Sequence, residues 1–137
     1  MTHVLVDTSV WVDYFKGGDK SAKLNALIDQ NIVAINDVIL AELLPYMLVN
    51  KHIEVVKLLN ELVKLPLSID WDDVIRYRTQ SFTLQRCHVG IADLLIALNA
   101  KKNACPVYSI DEGFQHLVQI MNVELYPEKK KGAQLRP

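Results

Sequence analysis

The sequence predicts an α/β fold in which a short parallel sheet, of about four or five strands, has helices on both faces. Short apolar runs typical of buried strands recur along the 137 residues, and stretches with apolar residues at helical spacing separate them. Pro and Gly are few, at five residues each, which favours a compact single domain. Strands that alternate with helices form parallel sheets, so the alternation predicts the fold class while leaving the strand order open.

One strand and two helices are expected first. The strand is His3–Val6, a β-branched apolar run that stops at an aspartate. Thr8 or Ser9 can cap the following helix, because a side-chain hydroxyl accepts a hydrogen bond from a free N–H of the first turn. That helix should end near Gly17, and we expect Asp19 to cap the second helix.

The middle of the chain predicts a second strand and two apolar helices. The strand is Ile32–Ile35, and Asn36-Asp37 offers a cap for the helix that follows. This helix covers Val38–Val49, where Pro45 should kink it or change its direction. His52–Val63 has the apolar spacing of another helix.

The next segment predicts a third strand and two helices. Leu65–Ile69 is the strand, and Pro66 suggests an edge position because proline cannot donate to a central ladder. Asp72–Arg86 has the pattern of a helix, and Gly90 separates it from the next. Ile91–Lys102 consists largely of good helix formers and is the clearest helix of the sequence.

The last elements repeat the pattern of an apolar strand that stops at an aspartate. Pro106–Ile110 predicts the fourth strand and ends at Asp111. A helix through Phe114 and Leu117 follows, and Val123–Tyr126 predicts a final strand.

The composition predicts a soluble cytoplasmic protein. The formal net charge of −1 provides no overall basic field that would mark a passive nucleic-acid binder. Cys87 and Cys105 lie far apart, which argues against a disulfide scaffold or a zinc ribbon. We see no signal peptide and no apolar run of ~18 residues that could span a membrane. We expect residues 1–126 to form the domain and residues 127–137, with Lys129–Lys131, to form a basic tail.

Four carboxylates occupy positions that this fold would bring together. Asp7 and Asp111 directly follow strands, and ligands of open α/β sheets bind outside the carboxyl ends of the strands. Glu42 and Asp93 lie on helices among apolar residues, without Arg or Lys close by in the sequence. Burying such charges is costly unless a cation compensates, and all-oxygen ligands suit Mg²⁺ or Mn²⁺. The sequence therefore predicts a metal site.

Each acid by itself also has an ordinary structural interpretation. Asp7 and Asp111 could cap helices, and Glu42 could face solvent on a partly exposed helix. Asp93 could interact favourably with the N-terminal dipole of its helix. The ordered set of four acids is what favours the metal site over these separate interpretations.

Four sequence motifs resemble those of PIN domains. Asp7–Val10 after the first strand is similar to the opening motif, and Val38–Leu43 resembles the second acidic motif. Gly90–Ala97 and Tyr108–Phe114 are similar to the third and fourth motifs. The likeness extends from the first predicted strand to the last, and the size of the chain looks most like that of the VapC toxins of toxin–antitoxin pairs.

The resemblance implies a Mg²⁺- or Mn²⁺-dependent endoribonuclease. In that family the first and third acids, here Asp7 and Asp93, are the usual direct metal ligands. Glu42 and Asp111 would complete the acidic pocket, through water or a second ion. The hydroxyl residues expected to support the pocket are Thr8, Ser9 and Ser109.

The resemblance also implies protein partners. Such toxins are commonly homodimers and are inhibited by a small antitoxin whose tail fills the site. The apolar helices between Val38 and Val63 exceed what one buried face needs, so a dimer or antitoxin interface there is one interpretation and a well-covered core is the other.

Three other functions remain open at this point. A PIN-like module that binds RNA or a protein without cleaving it would not require all four acids. A phospho-acceptor switch would require a tight acidic pair after its first strand and a lysine after a late strand, whereas Asp7 stands alone and Ser109-Ile110-Asp111 has no such lysine. A metal-dependent phosphatase or DNA nuclease uses the same carboxylate chemistry, and the sequence separates it poorly from a ribonuclease.

Overall fold

A parallel sheet of four short strands lies at the centre of the computed structural model, which describes residues 2–84 and 89–127. The strands are β1 (Val4–Val6), β2 (Val33–Ile35), β3 (Val63–Lys64) and β4 (Val107–Tyr108). Their order is β3-β2-β1-β4, with β1 paired to β2 on one side and to β4 on the other. The carboxyl ends of the two central strands and of β4 therefore lie at the same edge of the sheet.

Helices connect and flank the strands. They are α1 (Thr8–Phe15), α2 (Leu24–Asp29), α3 (Asp37–Val49), α4 (Ile53–Glu61), α5 (Trp71–Leu84), α6 (Ile91–Lys102) and α7 (Glu112–Ile120). The predicted α/β class is confirmed. Within residues 2–84 and 89–127, no helix is long and apolar enough to cross a membrane.

The core forms where the central strands meet the buried sides of the helices. Every residue of β1 and β2 is buried, and Trp11 of α1 and Leu94 of α6 have no exposed surface. Trp11 stacks on Phe15 with ring centroids 5.7 Å apart. Burial of such large apolar side chains contributes about 1.5–3 kcal/mol each, so the core holds the site-bearing helices against the sheet.

A network of buried amides fixes two of these helices to the sheet. Asn36 caps α3, because its side-chain oxygen accepts from the N–H of Ile39 at 2.9 Å. The Asn36 amide group donates to Oδ1 of Asn99 on α6 at 2.8 Å, and Asn99 donates to the carbonyl of Pro66 at 2.8 Å. The predicted cap at Asn36 is thus confirmed, and Pro45 lies inside α3 without ending it.

The third strand was predicted too late in the sequence. It comprises Val63–Lys64, paired with β2, and the backbone pairing continues only to Leu65, whose N–H donates to Ile35. Pro66 has no N–H with which to extend the ladder, so the predicted strand at 65–69 does not form. The predicted edge position of the third strand is confirmed by the strand order.

Other boundaries also differ from the sequence prediction. The helix predicted over His52–Val63 ends at Glu61, because Val63 belongs to β3. Asp7, rather than Thr8 or Ser9, caps α1. Asp19 caps no helix, because residues 20–23 form turns and α2 begins only at Leu24. The predicted last strand is reduced to one bridge, in which Leu125 pairs with Val107 of β4. Cys87 and residues 128–137 of the predicted basic tail lie outside the described residues.

Candidate active site

Asp7 is buried at the carboxyl end of β1, where the chain turns into α1. Its carboxylate caps this helix by accepting from the N–H of Ser9 at 3.4 Å. The same oxygen, Oδ2, accepts from the hydroxyls of Ser9 at 2.8 Å and Ser109 at 3.0 Å. Burial raises the pKa of Asp7, and the serine hydrogen bonds oppose this by stabilising the charged form.

Two serine hydroxyls join the ends of β1 and β4 around Asp7. The Ser109 hydroxyl accepts from the N–H of Asp111 at 3.1 Å, while Ser9 Oγ accepts from the N–H of Ile110 at 3.2 Å. The two hydroxyl oxygens lie 3.4 Å apart. This arrangement fixes the orientation of the Asp7 carboxylate relative to both strands.

Glu42 reaches the site from α3 and contacts the residue after Asp7. Thr8 Oγ1 donates to Oε1 of Glu42 at 2.5 Å. The apolar neighbours of Glu42 in the sequence suggested burial, but its side chain is exposed. Leu40 and Leu43 of α3 are buried, whereas Ala41 is exposed like Glu42 itself. Because water solvates its charge, Glu42 needs no cation to compensate for burial. Its hydrogen bond with Thr8 is what associates it with the site.

Asp93 lies in the first turn of α6 and is half-buried. Burial, together with the smaller effect of the negative charges of Asp7, Asp111 and Glu42, raises the pKa of Asp93 to about 6. Three of the acids predicted from the sequence are thus close enough to act electrostatically on the fourth, Asp93.

Asp111 follows β4 and has a clear structural role. Its Oδ2 accepts from the N–H of Phe114 at 2.9 Å and so caps α7. The residue is exposed, and its backbone N–H is tied to Ser109. The capping interpretation of Asp111 is confirmed, and its charge still reaches Asp93.

The comparison with known proteins agrees with this geometry. The profile of the PIN domain matches residues 4–119, which include all four acids. The chain belongs to the PIN domain family. It is similar to a chain in the crystal structure of FitAcB from Neisseria gonorrhoeae, with a TM-score of 0.62 and 19% identity over 85% of this chain and 93% of that chain. That likeness supports the PIN fold alone. No curated protein matches the sequence.

The carboxylate oxygens of the four acids in this PIN domain are chemically suited to bind a divalent cation, although the four side chains do not converge tightly. Within the described residues, no three His, Cys, Asp or Glu side chains lie close enough to one another to hold a metal as they stand. Neither of the two salt bridges found among those residues involves one of the four acids. A half-buried Asp93 beside three other carboxylates is destabilised when ionised, and a hard cation would relieve that repulsion.

The sequence did not single out the buried amides that hold the acid-bearing helices. Asn36 was identified only as a cap, and Asn99 was not identified at all, although both are buried and hydrogen-bonded to each other. A signal was present in IADLLIALNAKK, where Asn99 is a polar residue in an otherwise apolar stretch. Its partner could not be found from the sequence, because Asn36 lies 63 residues away.

Proposed function

We propose that this PIN domain is a Mg²⁺- or Mn²⁺-dependent endoribonuclease that acts in the cytoplasm as the toxin of a toxin–antitoxin pair. The observation that supports this most is the arrangement of acids at the carboxyl edge of the sheet. Asp7 is oriented by two serine hydroxyls, and its charge, with those of Glu42 and Asp111, acts on the half-buried carboxylate of Asp93. Oxygen donors of this kind are the preferred ligands of Mg²⁺ and Mn²⁺.

In the proposed reaction, Asp7 and Asp93 would hold the cation, and Glu42 and Asp111 would contribute through water or a second ion. Such a cation would supply a water of lowered pKa and stabilise charge on the phosphate. Ser9 and Ser109 keep the Asp7 carboxylate in one orientation by donating to its Oδ2. Thr8 positions Glu42 at the exposed side of the site, where an RNA strand has access.

The proposed protein partners are supported by exposed apolar surface. Large apolar side chains of α3 and of the start of α4 are exposed: Tyr46 by 64%, Leu48 by 54%, Val49 by 80% and Ile53 by 52%. Continuous exposed apolar surface is typical of protein interfaces. We therefore expect a homodimer or the antitoxin to cover these helices.

A cavity of about 610 Å³ supports the proposal that an antitoxin segment reaches the acids. It is lined by Val12 and Phe15 of α1 and by Leu43 and Met47 of α3, and it extends to Glu42. An apolar segment of a partner could bury itself here while its polar end meets the carboxylates. Such a position would explain inhibition by blocking access of RNA to the site.

The test of the proposed function is cleavage of a mixed pool of structured RNAs by the purified chain. The reactions contain EDTA, Mg²⁺ or Mn²⁺ and are repeated with Asp93→Asn. Asp70→Asn is the matched control, because Asp70 is an exposed aspartate that accepts from the N–H of Asp72 and an asparagine preserves such a cap.

We expect cleavage by the parent and by Asp70→Asn only when a divalent metal is present, and none by Asp93→Asn. Full activity of Asp93→Asn would contradict the proposal. Absence of both cleavage and metal binding in the parent would favour the alternative, a catalytically silent PIN module that binds RNA or protein.

A further inference from the structure

A second cavity, of about 480 Å³, lies on the β4 side of the sheet. We name it the lysine cleft and define it by Lys20, Lys23, Ser109, Gln115 and Tyr126 of its lining. Its volume falls within the range of roughly 300–1,000 Å³ that is usual for small-ligand sites. None of the sequence motifs predicted it.

The lysine cleft adjoins the acids through one residue. The Ser109 hydroxyl donates a hydrogen bond to Asp7, one of the four acids. Ser109 and its neighbour Ile110 also line the cleft. Gln115 of α7 also lines the cleft, and its Nε2 donates to the Ser109 carbonyl at 2.7 Å. A ligand in the cleft would therefore be separated by Ser109 from the Asp7 carboxylate, which is proposed to hold the metal.

Hydrogen bonding and ring packing hold the walls of the cleft in place. Tyr108 of β4 is buried, and its hydroxyl donates to the Lys20 carbonyl at 3.1 Å, which fastens the turn that precedes α2 to the sheet. The ring of Tyr126 packs edge-on against that of Tyr108, with centroids 5.9 Å apart. Tyr126 is only half-buried and lines the cleft, so part of its ring can meet a ligand.

The charges of the cleft contrast with those of the acidic edge. Lys20 and Lys23 are exposed, and neither takes part in the salt bridges found within residues 2–84 and 89–127. Among the lining residues the two lysines outnumber the one acid, Asp19, so the lining itself is positive, while Asp13 lies near Tyr108 outside the lining. An RNA strand carries a phosphate at every nucleotide, and it must approach four carboxylates to be cleaved. A positive cleft beside them would offset this repulsion.

We propose that the lysine cleft binds a nucleotide that flanks the cleaved phosphodiester, with Lys20 and Lys23 on its phosphate and the Tyr126 ring against its base. The inference rests on the proposed ribonuclease function and adds a subsite to it. Lysine neutralises phosphate as a point charge, and tyrosine stacks on bases of any identity. The cleft then contributes to binding and register along the strand, while the acids perform the reaction.

The test measures binding of a fluorescein-labelled single-stranded RNA by anisotropy, in EDTA and over a range of salt concentrations. Lys20→Ala/Lys23→Ala should weaken binding about tenfold and lower the slope of log Kd against log salt by about 1–2, because about one phosphate contact is lost per lysine. The matched control is Lys51→Ala/Lys57→Ala, which removes the same charge from exposed positions on and before α4. We expect it to change Kd less than twofold.

A second pair of variants tests the stacking contact. Tyr126→Phe keeps the ring and should bind RNA as the parent does, whereas Tyr126→Leu keeps apolar volume without the ring and should bind about tenfold more weakly. Melting temperatures measured in parallel show whether either variant loses its fold. Unchanged affinity of a folded Tyr126→Leu would overturn the stacking contact.

The result of the lysine variants also separates this inference from the proposed function. Parent-like affinity of Lys20→Ala/Lys23→Ala, or an equal loss in the Lys51→Ala/Lys57→Ala control, would overturn the lysine cleft while cleavage by the parent still supported the ribonuclease. A parent that neither binds nor cleaves RNA would overturn both.

Discussion

Asp93 connects the stability of the molecule to its proposed chemistry. Burial and the charges of Asp7, Asp111 and Glu42 raise the pKa of Asp93 to about 6, above the value of ~3.9 of an unfolded aspartate. The folded state therefore holds this proton more tightly than the unfolded state. The stabilisation is fully present below the pKa of the unfolded chain and is lost as the pH rises through about 6.

We predict that the metal-free protein is less stable at pH 7.5 than at pH 4.5 by about 1–2 kcal/mol on account of Asp93, since solvent screens part of the effect at a half-buried site. Asp93→Asn should remove this dependence and melt a few degrees higher than the parent at pH 7.5 in EDTA. Thermal melts at the two pH values measure both effects. If the melting temperature rises between pH 4.5 and 7.5 by the same amount in the parent and in Asp93→Asn, that result would contradict the coupling of the four acids.

Ser109 tests whether orientation of Asp7 matters. Ser109→Ala removes the hydroxyl that donates to Asp7 at 3.0 Å and should lower the cleavage rate about tenfold, the usual effect of losing a residue that orients a metal ligand. The control is Ser81→Ala, because Ser81 is equally buried but its hydroxyl donates only to the carbonyl of Arg78 in its own helix. Cleavage rates and melting temperatures of both variants give the comparison, and equal losses of rate would show that Ser109 has no special role.

At the scale of single residues, the sequence predicted the positions of the four acids in the fold better than the contacts that hold each of them. Asp7 and Asp111 were predictable, because each follows a short apolar run directly. The exposure of Glu42 was not, because the apolar residues beside it in sequence are distributed around α3 and do not all face the same way. Contacts such as that of Ser9 with Ser109 join residues 100 positions apart, which no local pattern reveals.

Among the helices, α7 illustrates how one aspartate can serve two purposes. Asp111 caps α7 through Phe114, and asparagine is an equally good cap. We predict that Asp111→Asn keeps the melting temperature within about one degree and lowers the cleavage rate less than Asp7→Asn does, whereas Asp111→Ala also destabilises the fold by about 0.5–2 kcal/mol. Thermal melts and cleavage rates of the three variants provide the data. A greater loss of rate in Asp111→Asn than in Asp7→Asn would reverse the proposed ranking of the ligands.

The buried amides of α3 and α6 make a second prediction at this scale. Asn99→Ala leaves the Asn36 amide and the Pro66 carbonyl without their partner, which should lower the free energy of unfolding by about 1–3 kcal/mol. Because α3 carries Glu42 and α6 carries Asp93, the variant should also bind Mn²⁺ more weakly. Denaturant unfolding and Mn²⁺ titration measure the two effects. The control is Asn50→Ala, because the exposed Asn50 amide donates only to the Tyr46 carbonyl of α3, and it should change neither stability nor Mn²⁺ affinity. A parent-like Mn²⁺ affinity in a folded Asn99→Ala would contradict the link between the helices.

The elements themselves were largely predictable where a long periodic segment exists. The helix Ile91–Lys102 has the predicted boundaries, since its good helix formers are bounded by Gly90 and by the turn at Asn103. The strand β3 was misplaced, because its position depends on pairing with β2 and not on its own apolar pattern, and both of its residues are exposed. Short edge strands are defined by their partners, so a single sequence determines them poorly.

At the scale of the whole molecule, charge is distributed unevenly although the net charge is only −1. Four acids lie near the carboxyl edge of the sheet, where three of them act on Asp93, and the lysine cleft adjoins this edge at Ser109. Composition could not reveal this distribution, because acidic and basic regions cancel in the total. The proposed cation would bind near the four acids. Because it would bind only their folded arrangement, it would stabilise the native state.

The most direct test of the proposed metal site is a calorimetric titration of the metal-free chain with Mn²⁺ at pH 7.5, with Asp7→Asn measured alongside. Asp7 is the residue to change, because it is the buried carboxylate to which both serine hydroxyls donate. We predict saturable binding by the parent and at least tenfold weaker binding by Asp7→Asn, which retains the fold because asparagine preserves the cap of α1. Binding of equal affinity by the parent and a folded Asp7→Asn would contradict the assignment of the metal to these four acids.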